Sequence, residues 1–545
     1  DFNRKIVALG ERLRKPVVAT GDVHFKEPED KIYRAILQAA TGFDDADEQP
    51  PLYFKTTDEM LAEFSYLGED KAYEVVVENP QKIAAQIEEM TLFPKHPTGA
   101  DTFQPLWEDA AENIENTCRA RAKELYGDPL PELIEQRLDK ELKSIVGYGF
   151  ATLYAIAQKL VQKSLSDGYL VGSRGSMESS LVAMLCGITE VNPLPPHYRC
   201  GKCGRTVFTP PELAAVGPDL PDSVCETCGA PMIRDGYDIP FEVFLGFKGD
   251  KVPDIDLNFS GDYQSRAHAY VEELFGKGFV FRAGTISGLA EKTAFGFAAK
   301  YLQERGIRAG KAHKERLAEG CKGVKRTTGQ HPGGIVVLPK DYHISQFTPI
   351  QHPADDAGAG VLTTHYDFSS MHDILVKLDC LGHVDPTMLH YLEEITGIPC
   401  RSLPLRDPGV MGLFLGTETI GVDPKELLSP TGTLGVPEFG TAFVQGMLSD
   451  TKPQTMEELI RISGLSHGTD VWLSNARDLV LGGTAKLAEC FCTRDDIMNF
   501  LIAKGVDSKK SFDIMEAVRK GRGLTPEMES VMRENAVPAW AIDSC

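Results

Sequence analysis

Two pairs of cysteines, Cys200-Gly-Lys-Cys203 and Cys225-Glu-Thr-Cys228, oblige the chain between about 197 and 232 to fold back on itself. Two C-x-x-C knuckles about 20 residues apart, each followed by glycine, put four thiolates at the spacing of a tetrahedral zinc site. Four thiolates close the coordination shell, so one structural Zn²⁺ in a zinc ribbon is expected. A redox pair would need only one C-x-x-C. The other eight cysteines are scattered and read as small buried hydrophobes.

A chain of 545 residues exceeds one core, and at ~150 residues per domain it should hold three or four. No run approaches the ~18 consecutive apolar residues of a membrane span, and Asp1-Phe-Asn-Arg-Lys lacks the apolar core of a signal peptide. A cytoplasmic protein without membrane association is expected. The chain starts without Met and stops at Cys545 just after a helix-like stretch, and it reads as a piece of something longer.

The formal charge of −22 argues against coating nucleic acid by bulk attraction. Within it, Arg305, Arg308, Lys311, Lys314, Arg316, Lys322, Lys325 and Arg326 form a basic island opposed only by Glu315 and Glu319. A smaller one is Arg519-Lys-Gly-Arg522. Both also suit solvated helix faces.

In Lys251-Val-Pro-Asp-Ile-Asp-Leu-Asn-Phe259, Asp254 and Asp256 stand two apart in a strand-like run. Side chains alternate along a strand, so Ile255 and Leu257 bury on one side and the aspartates project together from the other. Paired carboxylates call for a cation, and Mg²⁺ with one or two carboxylates plus substrate phosphates is the arrangement of phosphoryl transfer. A D-x-D alone also suits a solvated acidic strand edge.

Around it, residues 1 to 90 mix a strand-like Pro16–Thr20 run with helices, one capped by Thr57 and one opened by Asn79-Pro80. A linker-like stretch runs from Phe93 to Pro105. The pattern is helical from about 107 to 165, with Leu142, Ile145, Phe150, Leu153 and Ile156 at helical spacing. Strands are expected at 169–171, 279–282, 334–338 and 373–379, a helical block at 286–320, and mostly helix from about 386 onward.

Gly172-Ser173-Arg174-Gly175-Ser176 sits between the first of these strands and the apolar 181–185 run, as a loop able to present N–H groups and hydroxyls to an anion at a helix amino terminus. An ordinary strand-to-helix turn would look the same. Lys325-Arg326-Thr-Thr-Gly-Gln-His331-Pro-Gly-Gly334 reads as a polar loop feeding a buried strand, where sites tend to sit. Asp379 lies in Val376-Lys-Leu-Asp-Cys-Leu-Gly382 on the same face as Lys377.

These segments, with Glu190-Val-Asn-Pro-Leu-Pro-Pro-His-Tyr198, Phe247 to Ser260, Glu291-Lys-Thr-Ala-Phe-Gly-Phe297, Gly323 to Gly334, Ile462 to Trp472 and Val518 to Leu524, resemble the PolC type of bacterial replicative DNA polymerase III alpha subunit, of the C family. The resemblance covers nearly the whole chain. It implies an α+β multidomain fold: the carboxy-terminal part of a PHP (β/α) barrel at 1–95, a polymerase-β-like nucleotidyltransferase palm at 96–285 and 329–395 with the ribbon at about 197–232 inserted, a helical thumb at 286–328, and truncated fingers at 396–545.

It also implies DNA-templated DNA synthesis, with two catalytic Mg²⁺ on Asp254, Asp256 and Asp379. Gly172, Ser173, Arg174, Gly175, Ser176, Lys325, Arg326, His331 and Arg494 would meet the nucleotide, with the Ser463 to Trp472 loop near nucleotide and template. Arg305, Arg308, Lys311 and Lys314 would meet primer-template DNA. Asp22 and His24 match the last metal motif of a PHP domain. A sliding clamp and replisome proteins are the implied partners. In the glycine loop Met177-Glu178 stands where the family has a small residue and glycine, which adds a negative charge near the triphosphate path. The chain as given is expected to polymerise weakly or not at all.

Two other readings come from the residues themselves. One is a metal-dependent phosphoesterase acting through Asp22 and His24; the other is a non-catalytic zinc-ribbon module that binds nucleic acid or a partner.

Overall fold

In the computed structural model residues 2–99, 102–246 and 255–545 are described, and helices alternate with short strands in a mixed α/β arrangement. The chain divides into two compact units, one of Asp1–Thr102, Phe281–His331 and Tyr342–Ile374, the other of Phe103–Val280, Pro332–Asp341 and Leu375–Cys545.

The second unit owns the largest core. Helices Ala110–Tyr126, Glu132–Gly147 and Ala151–Ser166 turn apolar stripes inward, including Leu142, Ile145, Leu153 and Ile156 as their spacing predicts. Against them lies one face of a mixed sheet, through Leu257, Phe259, Leu378 and Cys380. Its strands run in the order Val171–Arg174, Asp256–Ser260, Lys377–His383 and Lys325–Val337. The first pairing is antiparallel, the second parallel and the third antiparallel.

A separate three-stranded antiparallel sheet, ordered Thr206–Phe208, His197–Cys200, Met232–Asp235, carries the cysteine knuckles. Gly204, at φ +74°, lets this insertion lie against the turn after the Ala110–Tyr126 helix, because a Cβ there would meet the Gly127 backbone nitrogen at 2.7 Å. Beyond Val384–Thr396 the unit is helical, with cores around Met447, Leu448, Ile462, Leu465 and Trp472, and around Met498, Leu501, Phe512 and Met515.

In the first unit, helices Glu291–Glu304 and Lys311–Cys321 pack with Lys31–Ala40 around Ile36, Ala294, Ala298, Leu302 and Leu317. This is the helical block expected at 286–320, although residues 286–288 still belong to the Val280–Gly288 strand.

Several local expectations are corrected. Pro16–Thr20 is extended but joins no ladder among the described residues; Ala19 N–H instead donates to the Val75 carbonyl. Thr56, one residue before the expected Thr57, caps Thr57–Glu63 in a reciprocal box with Glu59. Asn79-Pro80 continues a helical run begun at Glu69 through the wide turn Glu74–Glu78. The strand expected at 373–379 is Lys377–His383. Residues 325–333, expected as loop, are strand, because pairing with neighbouring backbone outweighs their glycines and Pro332.

Candidate active site and metal centre

Strand register brings the second unit's charged candidates together. Arg174 pairs with Asp256 across the antiparallel ladder, Asp256 with Asp379 across the parallel one, and Asp379 with Gly334 beyond it. Residues opposite one another in adjacent strands share a face, so Arg174, Asp256 and Asp379 form one row across three strands, ~5 Å per strand. Leu257 and Cys380, one position on, point the other way into the core.

Ile255 is buried as expected, whereas Asp254 lies outside the described residues. Lys377, two residues before Asp379 and therefore on its face, donates from Nζ to Asp379 Oδ2 at 2.7 Å. Both side chains are less than one-fifth exposed. An ammonium thus stands where carboxylates gathered in a row call for positive charge.

Arg174 ends its strand, and the chain then makes a tight 3₁₀ turn, Gly175–Ser179. Gly175, at φ +74°, sits over Asp256: a Cβ there would be 3.8 Å from Oδ2. Gly172, Ser173 and Arg174 are therefore strand residues, and only Gly175 and Ser176 belong to the turn.

The anion site expected at the following helix is already filled. Glu141, fully buried on Glu132–Gly147, accepts from Leu181 N–H at 3.0 Å and Val182 N–H at 3.0 Å, and from Ser180 Oγ at 2.9 Å. The first N–H groups of Leu181–Leu185 serve the protein's own carboxylate, and any substrate anion must sit at the earlier end of the turn. Sequence reasoning missed Glu141 and its partner Arg137. The available signal was a glutamate on an apolar stripe, in line with Ile134, Leu138 and Ile145.

Glu178 is turned from the row. Its carboxylate accepts from Ser173 Oγ at 3.2 Å, and Ser173, opposite Leu257, projects from the other face to Arg174. Burial pushes the Glu178 carboxyl up to about 7, a rise that Ser173's hydrogen bond only partly opposes.

The four cysteines converge, with Cys200 and Cys228 Sγ atoms 3.4 Å apart, Cys203 and Cys225 3.6 Å apart, and all four within 4.8 Å of one another. Among the described residues no other group of three or more His, Cys, Asp or Glu ligands gathers this way. Backbone N–H groups of Lys202 and Cys203 aim at the Cys200 sulfur and bring its thiol down to about 6, which prepares a thiolate for a metal. Zinc fits this soft, closed set.

The remaining candidates are dispersed. Lys325 and Arg326 are exposed and His331 half-buried in the first unit. There Arg305 grips Asp47 through Nε at 2.8 and 2.9 Å and lies 3.7 Å over the Tyr301 ring. Lys311 faces Glu315, and Lys322 faces Glu291 and Glu319. The island is therefore opposed by Asp47 and Glu291 as well, which leaves Arg305 committed to a structural pair. Arg308 is exposed and Lys314 half-buried.

Asp22 and His24 are exposed, and His24 Nδ1 lies 2.7 Å from Asp22's own carbonyl oxygen. Arg494 opens the Arg494–Ala503 helix beside Asp495, 3.8 Å away. The expected Ser463 to Trp472 loop is mostly helix, within Met456–Ser466 and Thr469–Val471, and Trp472, 2% exposed, belongs to the core.

No helix among the described residues is long and apolar enough to cross a membrane. The family model described as bacterial DNA polymerase III alpha NTPase domain matches residues 112–314 and 298–382, and the alpha subunit finger domain matches 385–537. The chain is 57% identical over 545 residues to a DNA polymerase III PolC-type of Caldanaerobacter subterraneus, covering all of this chain and 38% of that protein. It is 55% identical to the Clostridium perfringens protein of that name over all of this chain and 37% of the relative. Against the Bacillus subtilis one it is 54% identical over 99% of this chain and 38% of the relative. The chain thus spans about two-fifths of the length of the curated relatives it matches. With more than half its residues shared along its length and the two models laid end to end over most of it, the chain belongs to the PolC-type DNA polymerase III family.

Proposed function

We propose that this chain is the central catalytic part of a bacterial replicative DNA polymerase, in which a primer 3′-hydroxyl attacks the α-phosphate of a deoxynucleoside triphosphate and pyrophosphate leaves. The observation that carries this reading is the row Arg174, Asp256, Asp379 on one sheet face. On this reading the sheet is a polymerase-β-like palm, the cysteine excursion an inserted zinc ribbon, the Glu291–Glu304 and Lys311–Cys321 helices the thumb, residues from about 396 the fingers, and residues 1–95 the end of a PHP domain.

Asp256 and Asp379, with Asp254 of the same D-x-D, would hold two Mg²⁺. Their hard oxygens suit a divalent cation, which would have to share Asp379 with, or displace, the Lys377 ammonium that binds it at 2.7 Å. Bound magnesium would activate the hydroxyl and neutralise the phosphates. The protein's own share is positioning: Arg174 offers its guanidinium beside Asp256, the Gly175 and Ser176 turn brings backbone close to the row without a Cβ at Gly175, and Lys377 fixes the direction of Asp379. Lys325, Arg326, His331 and Arg494 are further candidates for the nucleotide, Arg308, Lys311 and Lys314 for primer-template DNA, and the clamp and replisome proteins for partners.

Replacing Asp256 by Asn in the full-length polymerase should abolish primer extension while leaving primer-template binding within about twofold. Extension retained in Asp256→Asn overturns the reading.

A further inference from the structure

The turn that would receive the triphosphate is held from behind by charges that nothing in the reaction itself requires. Arg137 and Glu141 are one helical turn apart on Glu132–Gly147, with Nε donating to Oε1 at 2.5 Å. Glu141 is fully buried and Arg137's side chain is 17% exposed. The carboxylate binds Ser180 Oγ and the Leu181 and Val182 N–H groups, as described above.

The guanidinium reaches further: one nitrogen donates to the Ser179 carbonyl at 2.7 Å and the Ile239 carbonyl at 3.0 Å. Ser179 Oγ in turn donates to the Ser176 carbonyl at 2.7 Å. Tyr154 O–H completes the ring of contacts on Ser180 at 3.0 Å. Every link between the pair and the 175–176 backbone is a hydrogen bond partly shielded from water, where an unmet partner costs more than a met one gains.

At its other end the turn is fixed by strand pairing of Arg174 with Asp256. Its conformation is therefore set at two points: the carboxylate row in front and the Arg137–Glu141 pair behind. A buried pair seldom adds net stability over an apolar one, so a specific geometry is the better reason for its presence.

We infer that Arg137 and Glu141 are positioning residues for nucleotide binding, holding the 175–180 turn so that Gly175 and Ser176 meet the triphosphate of the incoming deoxynucleotide. This rests on the polymerase reading. In the full-length polymerase, Arg137→Ala should raise the KM for deoxynucleoside triphosphate at least roughly tenfold, with kcat changed far less and primer-template affinity unchanged. Millimolar methylguanidinium, which can enter the partly exposed space left by the side chain, should lower that KM again.

An unchanged nucleotide KM, or an equal loss in kcat and DNA affinity without chemical rescue, overturns the inference. If Arg137→Ala does not fold, Arg137→Lys decides on the same KM and DNA-affinity criteria, because it keeps a cation beside Glu141 but cannot span both carbonyls. Asp256→Asn run alongside separates the two readings: primer extension in that variant removes the polymerase assignment, whereas an inert Asp256→Asn with an unaltered Arg137→Ala KM removes only the positioning role.

Discussion

Replacing Glu178 by Gln should stabilise the protein by an amount that grows as pH rises from about 4.5 to about 7 and is complete above that. The Glu178 carboxyl sits under the sheet edge against Ser173, and burial raises it to about 7 from an ordinary 4.5. Below the ordinary value the carboxyl is protonated in both folded and unfolded chains, and it sets no difference between them. Between about 4.5 and 7 the unfolded chain gives up the proton while the folded one keeps it. Stability falls as pH rises through this window and levels off above it.

The gap corresponds to about 3 kcal/mol at pH 8. The amide introduced by Glu178→Gln cannot ionise, yet its oxygen still accepts from the Ser173 hydroxyl. Urea titrations of wild type and Glu178→Gln at pH 4, 5, 6, 7 and 8 should give nearly coincident midpoints at pH 4 and a gap in favour of the variant that widens up to about pH 7 and then levels off. A gap no larger at pH 8 than at pH 4, or a variant less stable at pH 8, would refute the burial argument.

Three other outcomes follow from particular contacts. Metal analysis should find one zinc per chain, and Cys203→Ser or a strong chelator should remove it and expose the other knuckle thiols to a thiol reagent, since four sulfurs within 4.8 Å of one another could all ligate one ion as thiolates. Gly333→Ala should cost about 1–3 kcal/mol in a melting experiment, because its Cβ would lie 2.7 Å from Leu381 Cδ2 and 2.8 Å from the Cys380 carbonyl oxygen. Asp219→Ala should cost about 1 kcal/mol and speed amide exchange at Met456 and Glu457, whose N–H groups both donate to Asp219 at 2.9 Å; unchanged exchange would show that Thr455 caps the helix alone.

What could be read in advance divides along the range of the interactions. Alternation within one strand is local, and it placed Lys377 with Asp379 and buried Ile255 and Leu257 against the core. Helical spacing did the same for Leu142 through Ile156. Register between strands is not local: nothing near Arg174 in sequence says that Asp256 faces it, or that residues 172–174 are strand and not loop. Glycine and serine favour turns, so the composition of 172–176 pointed away from the ladder that Asn258, Leu257 and Asp256 impose on it. Trp472, at the end of the Ser463 to Trp472 stretch that the resemblance sets near nucleotide and template, fills a core, a placement its polar neighbours did not announce.

Glu141 shows why these two ranges meet at the site. Seen along its helix, Arg137 and Glu141 are an ordinary surface-type pair four residues apart; only the packing of Leu181–Leu185 across them makes the carboxylate a helix cap from another element. That cap changes the chemistry asked of the neighbouring turn. With the helix amino terminus capped from within, its first N–H groups are spent on Glu141 and are not open to a phosphate. Lys377 is already engaged by Asp379, so on the proposed reading attraction on this face would fall to Arg174 and to cations that the aspartates would hold. If the turn receives the triphosphate as proposed, nucleotide affinity measured against divalent-metal concentration should fall far more steeply on metal removal than in a site built on a free helix amino terminus, because metal and Arg174 would have to supply what the helix dipole does not.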